Sequence, residues 1–313
     1  MTRALIFPGQ GSQAVGMGKD LSAAFPDARF VFEEVDDALE QKLSKIMFEG
    51  PEQELTLTEN AQPALMAMSV ALIRVLEKQA EFNVATESSF VAGHSLGEYS
   101  ALTVAGTFSL GDAARVLKMR GQSMQQAVPV GQGAMAAIIG VDLDVAEAIA
   151  AEAAGDDVCT AANDNAPGQI VLSGSASAIT RAVEIARENG AKRSIVLPVS
   201  APFHCALMAP AADVMSEALA DITLQPPLVP VVANVTAAPE EDPGEIRRLL
   251  IEQVTSRVRW RECILNMREL GVDNFMEVGA GKVLTGMIRR IDKELTSLSV
   301  QSADDIDAFA SSL

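Results

Sequence analysis

Val91-Ala92-Gly93-His94-Ser95-Leu96-Gly97 sets a serine between two glycines, at the junction of two differently patterned segments. Residues 89–92 are short and apolar, as a buried strand requires. Residues 96–105 read as a helix. Glycine at 93 and 97 permits a sharp turn in which larger side chains would collide. A strand, a tight elbow and a helix in that order would project the Ser95 hydroxyl above a sheet, near a helix N-terminus that favours developing negative charge. The pattern is that of a nucleophile elbow. A second reading stays open, in which the turn is structural and Ser95 only caps the helix.

Outward from the elbow the chain keeps an α/β rhythm. Residues 4–7 are an apolar run stopped by Pro8-Gly9, a buried strand feeding the loop Gly9-Gln10-Gly11-Ser12-Gln13. Residues 21–39 pattern as a helix interrupted by Pro26, residues 60–79 as a long helix, and residues 112–126 as another. Between 128 and 199 the order is strand 134–139, helix 143–154, strands 158–162 and 169–172, helix 175–189 and strand 194–196. Asn-Asp-Asn-Ala-Pro-Gly separates the two middle strands as a loop. That β-α-β-β-α-β order is ferredoxin-like. Strand candidates at 228–233, 275–278 and 297–300 then alternate with helical patterns at 243–255, 260–270 and 281–290. The expected fold is α/β: a parallel-sheet core of residues 1–127 and 200–313, with residues 128–199 inserted as a small ferredoxin-like α+β subdomain.

Composition bounds the chemistry. At 49% hydrophobic and 21% charged, the 313 residues can bury a sizeable core and are not a disordered acidic chain. The net charge of -18 disfavours broad binding to nucleic acid or anionic membrane. Only His94 and His204 can act as imidazole bases, which excludes a three-histidine metal site. Cys159, Cys205 and Cys263 are scattered and read as reduced thiols. No run approaches the roughly 20 apolar residues of a bilayer span, and the N-terminus has no long apolar signal core. A cytoplasmic location and no membrane insertion are expected.

A serine hydroxyl needs a base. His94 adjoins Ser95, but neighbouring side chains on a turn diverge. His204, in the loop Ala201-Pro202-Phe203-His204-Cys205, is the better candidate, with a packed structural histidine as the alternative. Asp112, Asp156, Asp157 and Asp164 lie between Ser95 and His204, where the chain order of a hydrolase triad would put its acid. None has a distinctive setting. A dyad in which a carbonyl or amide orients His204 is equally open. The Gly9–Gln13 loop is either an ordinary turn or half of an oxyanion hole, whose other half is the Leu96 amide. It lacks the Gly-Lys-Ser/Thr ending of a phosphate-binding loop. Arg120 is surface decoration if exposed. Buried beside Ser95, it would demand an anionic partner and so a carboxylate-bearing substrate.

Taken together, Phe7-Pro8-Gly9-Gln10-Gly11-Ser12-Gln13, Val91 through Tyr99, Met119-Arg120-Gly121, Phe203-His204-Cys205-Ala206-Leu207-Met208 and Glu277-Val278-Gly279 make the chain resemble the bacterial malonyl-CoA:acyl carrier protein transacylases over nearly its full length. The resemblance implies a hydrolase-like α/β core with a ferredoxin-like insertion. It implies that Ser95 is the acyl-accepting nucleophile and His204 its base. Arg120 would clamp the malonyl carboxylate. Backbone amides of Gln10 and Leu96 would form the oxyanion hole. Gln253 lies where a backbone carbonyl orients the catalytic histidine, and Asn163 resembles a pocket-lining asparagine. Many stand-alone members carry serine before that histidine. This chain carries Phe203, as malonyl-selective domains of polyketide synthases do, and its ring is expected to disfavour a methyl branch on the substrate.

The implied partners are malonyl-CoA and holo-acyl carrier protein, in the supply of fatty-acid or polyketide synthesis. No cofactor or metal is expected, because CoA enters as substrate and leaves as product. The chain is expected to act as a monomer. A serine hydrolase of thioesters or esters and an acyltransferase for another small acyl-CoA are the competing readings. Six arginines against two glutamates between Arg247 and Arg268, with a second cluster of Lys282, Arg289 and Arg290, are candidates to meet CoA phosphates or an acidic carrier.

Overall fold

β1 (Arg3–Phe7) points Ala4 and Ile6 into one hydrophobic cluster and Leu5 and Phe7 into another, all four fully buried. A strand apolar on both faces belongs inside a parallel sheet covered by helices on each side. In the computed structural model, which describes residues 2–311, it occupies that place. The other strands are β2 (Phe90–Gly93), β3 (Gly133–Ile139), β4 (Cys159–Ala166), β5 (Gln169–Ser175), β6 (Arg193–Val196), β7 (Val231–Val232), β8 (Pro239–Glu240), β9 (Asn274–Val278) and β10 (Thr296–Val300). Six of them form one sheet in the order β10-β9-β1-β2-β7-β8. Its neighbours pair in parallel except for the short β8, which returns antiparallel beside β7. The remaining four form a separate antiparallel sheet, β4-β5-β3-β6.

Helices Pro26–Leu39, Thr58–Gln79 and Leu110–Ala127 cover one face of the larger sheet, and Trp260–Glu269 with Val283–Ile291 cover the other. Helices Leu143–Ala154 and Ala176–Glu188 close a third cluster over the smaller sheet. The register of β1 on β2 pairs Phe7 with Gly93. The Gly9–Gln13 loop and the Ser95 elbow therefore leave the sheet at one edge, at the carboxyl ends of adjacent strands, where open α/β sheets place their ligands.

Several expected elements differ in extent. The helix expected over 21–39 is two helices, Lys19–Ala24 and Pro26–Leu39, with Pro26 opening the second. The strand expected over 228–233 shrinks to β7, because Pro230 has no N–H to give the ladder, although its carbonyl accepts from Val91. Asn163 to Ala166, expected as loop, extend β4. The Val258 N–H donates to the Ala162 carbonyl and the Asp164 N–H to the Val258 carbonyl, so an outside segment supplies partners that the local sequence does not advertise. Bulges on either side of Asn163 and Asp164 accommodate this. Helices Leu43–Glu49, Glu52–Thr56, Val84–Glu87, Ala209–Ala220 and Ala303–Ala310 are additional to those expected. The outermost positions of the expected domain bounds, 1, 312 and 313, lie outside the described residues. No helix among the described residues is long and apolar enough to cross a membrane.

Candidate active site

The elbow is as tight as its glycines suggest. A Cβ on Gly93 would lie 1.9 Å from the Gly97 carbonyl group, and one on Gly97 would lie 2.3 Å from the Phe7 carbonyl oxygen. Ser95 itself takes φ 55°, a left-handed conformation costing a non-glycine residue about 1–3 kcal/mol unless its surroundings impose it. Asn234 imposes it here. Its Oδ1 accepts from the Ser95 N–H at 2.8 Å, and its Nδ2 donates to the Gly93 carbonyl at 2.8 Å. Helix Gly97–Val104 then starts directly behind the serine.

His204 comes to the elbow from the loop before helix Ala209–Ala220, also at positive φ, 58°. Its Nε2 is 2.8 Å from Ser95 Oγ, and its Nδ1 is 2.9 Å from the Gln253 backbone carbonyl. A carbonyl only accepts, so the proton of neutral His204 sits on Nδ1 and the Nε2 lone pair faces the serine hydroxyl. Burial pushes the His204 pKa down to about 3, with the nearby Arg120 charge adding to it, so the ring is a free base at neutral pH. None of the four aspartates reaches it. Asp112 bonds Ser109 and Arg115, Asp157 bonds Ser177 and Arg181, Asp164 pairs with Arg261, and Asp156 is exposed. The Gln253 carbonyl stands where a triad would have its acid.

Arg120 is fully buried on helix Leu110–Ala127. Its Nη1 donates to Gln62 Oε1 at 2.8 Å, and its Nη2 donates to Gln253 Oε1 at 2.9 Å and to Ser95 Oγ at 3.3 Å. The Tyr99 ring lies 5.5 Å away. Arg120 forms no ion pair among the described residues, and its Nε has no hydrogen-bond partner there. A buried cation without a carboxylate is costly on its own, and at a substrate wall it is ready for one.

Ser95, His204 and Arg120 share a cavity of about 470 Å³ whose walls also include Gln10, Leu96, Asn163 and Phe203. The Gln10 and Leu96 N–H groups donate to no other protein group among the described residues. Asn163 reaches the wall from β4, beside its bridge to Val258. Gln253, expected to orient the catalytic histidine, does not line the cavity and is fully buried behind it. Its carbonyl holds His204 and its side-chain amide holds Arg120. His94 gives its Nε2 to Asn165 Oδ1 at 2.8 Å and packs against Trp260. Sequence reasoning missed Asn234 and Gln62 as site residues, since neither lies in a motif. Glu98 stands inside the elbow motif, and the signal that singles it out is a carboxylate in an otherwise uncharged helix directly after the turn.

Residues 4–307 match the family described as the acyl transferase domain. The chain belongs to that family. Membership makes it an acyltransferase. It is 46% identical over 305 residues to the malonyl CoA-acyl carrier protein transacylase of Bacillus subtilis (strain 168), covering 97% of this chain and 95% of that protein. A crystal structure of an acyl-carrier-protein-S-malonyltransferase from Bartonella henselae superposes with a TM-score of 0.97 at 56% identity, covering 100% of this chain and 99% of the other. A structure of a type II PKS acyl-carrier protein in complex with its malonyl-transacylase matches at TM-score 0.96 and 40% identity over the whole of both chains.

In this acyl transferase domain the arginine-rich segment is not an open cationic surface. Arg248, Arg257, Arg259, Arg261 and Arg268 each pair with a carboxylate, on Glu245 and Glu252, Glu147, Glu262, Asp164, and Asp292 with Glu294 respectively. Arg247 donates to the Leu219 and Ile222 carbonyls. The excess counted along the sequence is thus largely neutralised in space. Of the second cluster, Lys282 and Arg289 are exposed without such partners among the described residues, and Arg290 donates to Gln169 Oε1 at 3.4 Å.

Proposed function

We propose that the chain moves a malonyl group from malonyl-CoA to the phosphopantetheine thiol of acyl carrier protein through a malonyl-serine ester. The observation that carries this reading is the juxtaposition of a Ser95–His204 dyad with a buried, carboxylate-free Arg120 whose Nη2 is 3.3 Å from Ser95 Oγ. His204 Nε2 takes the hydroxyl proton as Oγ attacks the thioester carbonyl. The Gln10 and Leu96 N–H groups receive the oxyanion. The carbonyl reforms, the C–S bond breaks, and the proton passes from His204 to the departing CoA sulfur. In the second half the carrier thiol gives its proton to His204 and attacks the ester. Ser95 leaves with that proton, and the dyad is restored. The Arg120 fork meets the two oxygens of the malonyl carboxylate, so a charged acyl group is held where an uncharged one is not. CoA is a substrate, and this route calls on no further cofactor.

The acyl carrier protein as acceptor accords with the carrier complex of the related malonyl-transacylase. A role in supplying fatty-acid or polyketide synthesis in the cytoplasm, as a monomer, belongs to the same proposal. So does the finer fold: a hydrolase-like core of residues 1–127 and 200–313 and a ferredoxin-like subdomain of residues 128–199. The element order β3, helix, β4, β5, helix, β6 and its self-contained hydrophobic cluster support that division.

Intact-protein mass spectrometry tests the function directly. Exposure to malonyl-CoA is expected to add one malonyl mass, and holo-acyl carrier protein is then expected to remove it while gaining it. Loss of the adduct to water at the same rate without carrier would make the protein a hydrolase instead. Phe203 makes a second prediction. Its ring is nearly buried at the cavity wall, where a methyl on the acyl Cα would need the same space. Methylmalonyl-CoA is expected to turn over at least about tenfold less efficiently than malonyl-CoA. Equal kcat/KM for the two thioesters would sink the steric account.

A further inference from the structure

Glu98 is a fully buried carboxylate one residue into helix Gly97–Val104, and no step above uses it. Its Oε2 accepts from the Gln253 side-chain Nε2 at 2.8 Å and from the Asn234 backbone N–H at 2.9 Å. Both donors are residues that hold the site. An ionised carboxylate only accepts, so it dictates which way the Gln253 amide faces. With Nε2 turned to Glu98 and to the Ser95 carbonyl at 3.1 Å, Oε1 must face Arg120, to which it is bonded. One neutral amide therefore bridges the only buried carboxylate in this network and the only buried guanidinium, which have no direct ion pair.

We propose that Glu98 is a positioning residue: through the Gln253 amide it aims and counterbalances Arg120 in the free enzyme, and it takes up a proton when the carboxylate of an acyl group becomes the direct partner of Arg120. The charge count gives the reason. The free site holds one cation and one carboxylate across the amide. Binding a second carboxylate leaves a net negative charge in a low-dielectric interior, and the proton goes to the acid that has no direct cation. Burial already holds the Glu98 pKa up at about 7, against hydrogen bonds from Asn234 and Gln253 and the Arg120 charge, which lower it. Neutralising Arg120 removes that last restraint and moves the group further toward its protonated form.

Tyr99, Cys263, strands β1, β2 and β7 and helix Thr58–Gln79 supply no other candidate of this kind. Tyr99, beside it, is pushed up to about 12, and burial raises the Cys263 thiol on helix Trp260–Glu269 well above its ordinary value, so both are already protonated. β1 carries only Arg3 at its far end, and β2 and β7 carry no ionisable residue. On helix Thr58–Gln79, Glu59 is tied to Lys118 and Gln122, Arg74 to Glu77, and Lys78 is exposed. His204 is close to Arg120 and its Nδ1–H is fixed on Gln253.

The inference rests on the malonyl reading, and one experiment separates the two. Ser95→Ala protein is titrated calorimetrically at pH 7 with malonyl-CoA and with acetyl-CoA, each in two buffers of unequal ionisation enthalpy. Uptake of roughly half a proton per malonyl-CoA is expected, with none for acetyl-CoA. Adding Glu98→Gln, which keeps an acceptor for Gln253 but cannot ionise, is expected to abolish the uptake. Malonyl-CoA binding without proton uptake would overturn the inference and leave the function standing. Uptake that persists in the doubly substituted protein would overturn it too, by placing the proton elsewhere. Failure of malonyl-CoA to bind, together with no malonyl adduct on the wild-type chain, overturns the malonyl reading and this inference with it.

Discussion

Ser95→Ala is expected to leave no acyl mass on the protein after exposure to malonyl-CoA and to lower kcat by about 10⁴-fold or more, as loss of an activated nucleophile does. No neighbour can take its place. His94 is committed to Asn165, and all three cysteines are buried with thiol pKa values pushed up by burial, which keeps them out of the reactive thiolate form. The loss is expected to be chemical and not structural. Alanine removes only the hydroxyl, and the N–H that binds Asn234 and the carbonyl that binds Gln253 remain. The melting temperature is therefore expected to stay within a few degrees of the parent, because no buried group loses its main partner except His204 Nε2, which borders the cavity and can bind water there. An adduct that persists on the variant would move the nucleophile away from position 95.

How far the site was legible from the sequence follows from where each residue's information lies. Ser95 is written locally, because a strand, two glycines and a helix are all within a few residues of it. The Gly9–Gln13 loop and Arg120 became interpretable only beside the other motifs of a known family, since a loop or a lone arginine has no local signature. The amide bridge of Gln253 was beyond reach. Sequence similarity points to its carbonyl, but the side chain's hold on Arg120 and Glu98 depends on three segments meeting, from residues 98, 120 and 253. Asn234 and Gln62 are missed for the same reason. In the fold, β1 is plain because burial on both faces leaves an uninterrupted apolar run from Ala4 to Phe7. Asn163 to Ala166 mislead because turn-forming residues were drawn into a strand by pairing with Val258, ninety-odd positions away. Helix Ala209–Ala220 leaves a weak signal although Ala211, Met215 and Leu219 keep a four-residue spacing, because its core face carries few large side chains.

Arg120→Ala is expected to separate substrates and not merely to slow the enzyme. The guanidinium can offer a malonyl carboxylate two charge-assisted hydrogen bonds, each worth about 1.5–3 kcal/mol, so malonyl kcat/KM is expected to fall by roughly 10² to 10⁴-fold. Acetyl transfer makes neither bond. Its kcat/KM is expected to change by less than about tenfold, or to rise, since the acetyl group no longer displaces water from an unpaired buried cation. Removing the side chain also deprives Gln62 Oε1 and Gln253 Oε1 of their donors and opens space beside Ser95. Any loosening of the His204 loop through Gln253 would therefore weaken both reactions together, and the ratio of the two cancels it. Arg120→Lys sharpens the point. It keeps the charge but loses the planar fork, so its malonyl-to-acetyl ratio is expected to fall between those of the parent and the alanine variant. Equal losses for malonyl and acetyl in Arg120→Ala would reject the clamp. The buried arginine would then serve the Ser95–Gln253 network alone, and selectivity for a carboxylate-bearing acyl group would have to come from elsewhere on the cavity wall.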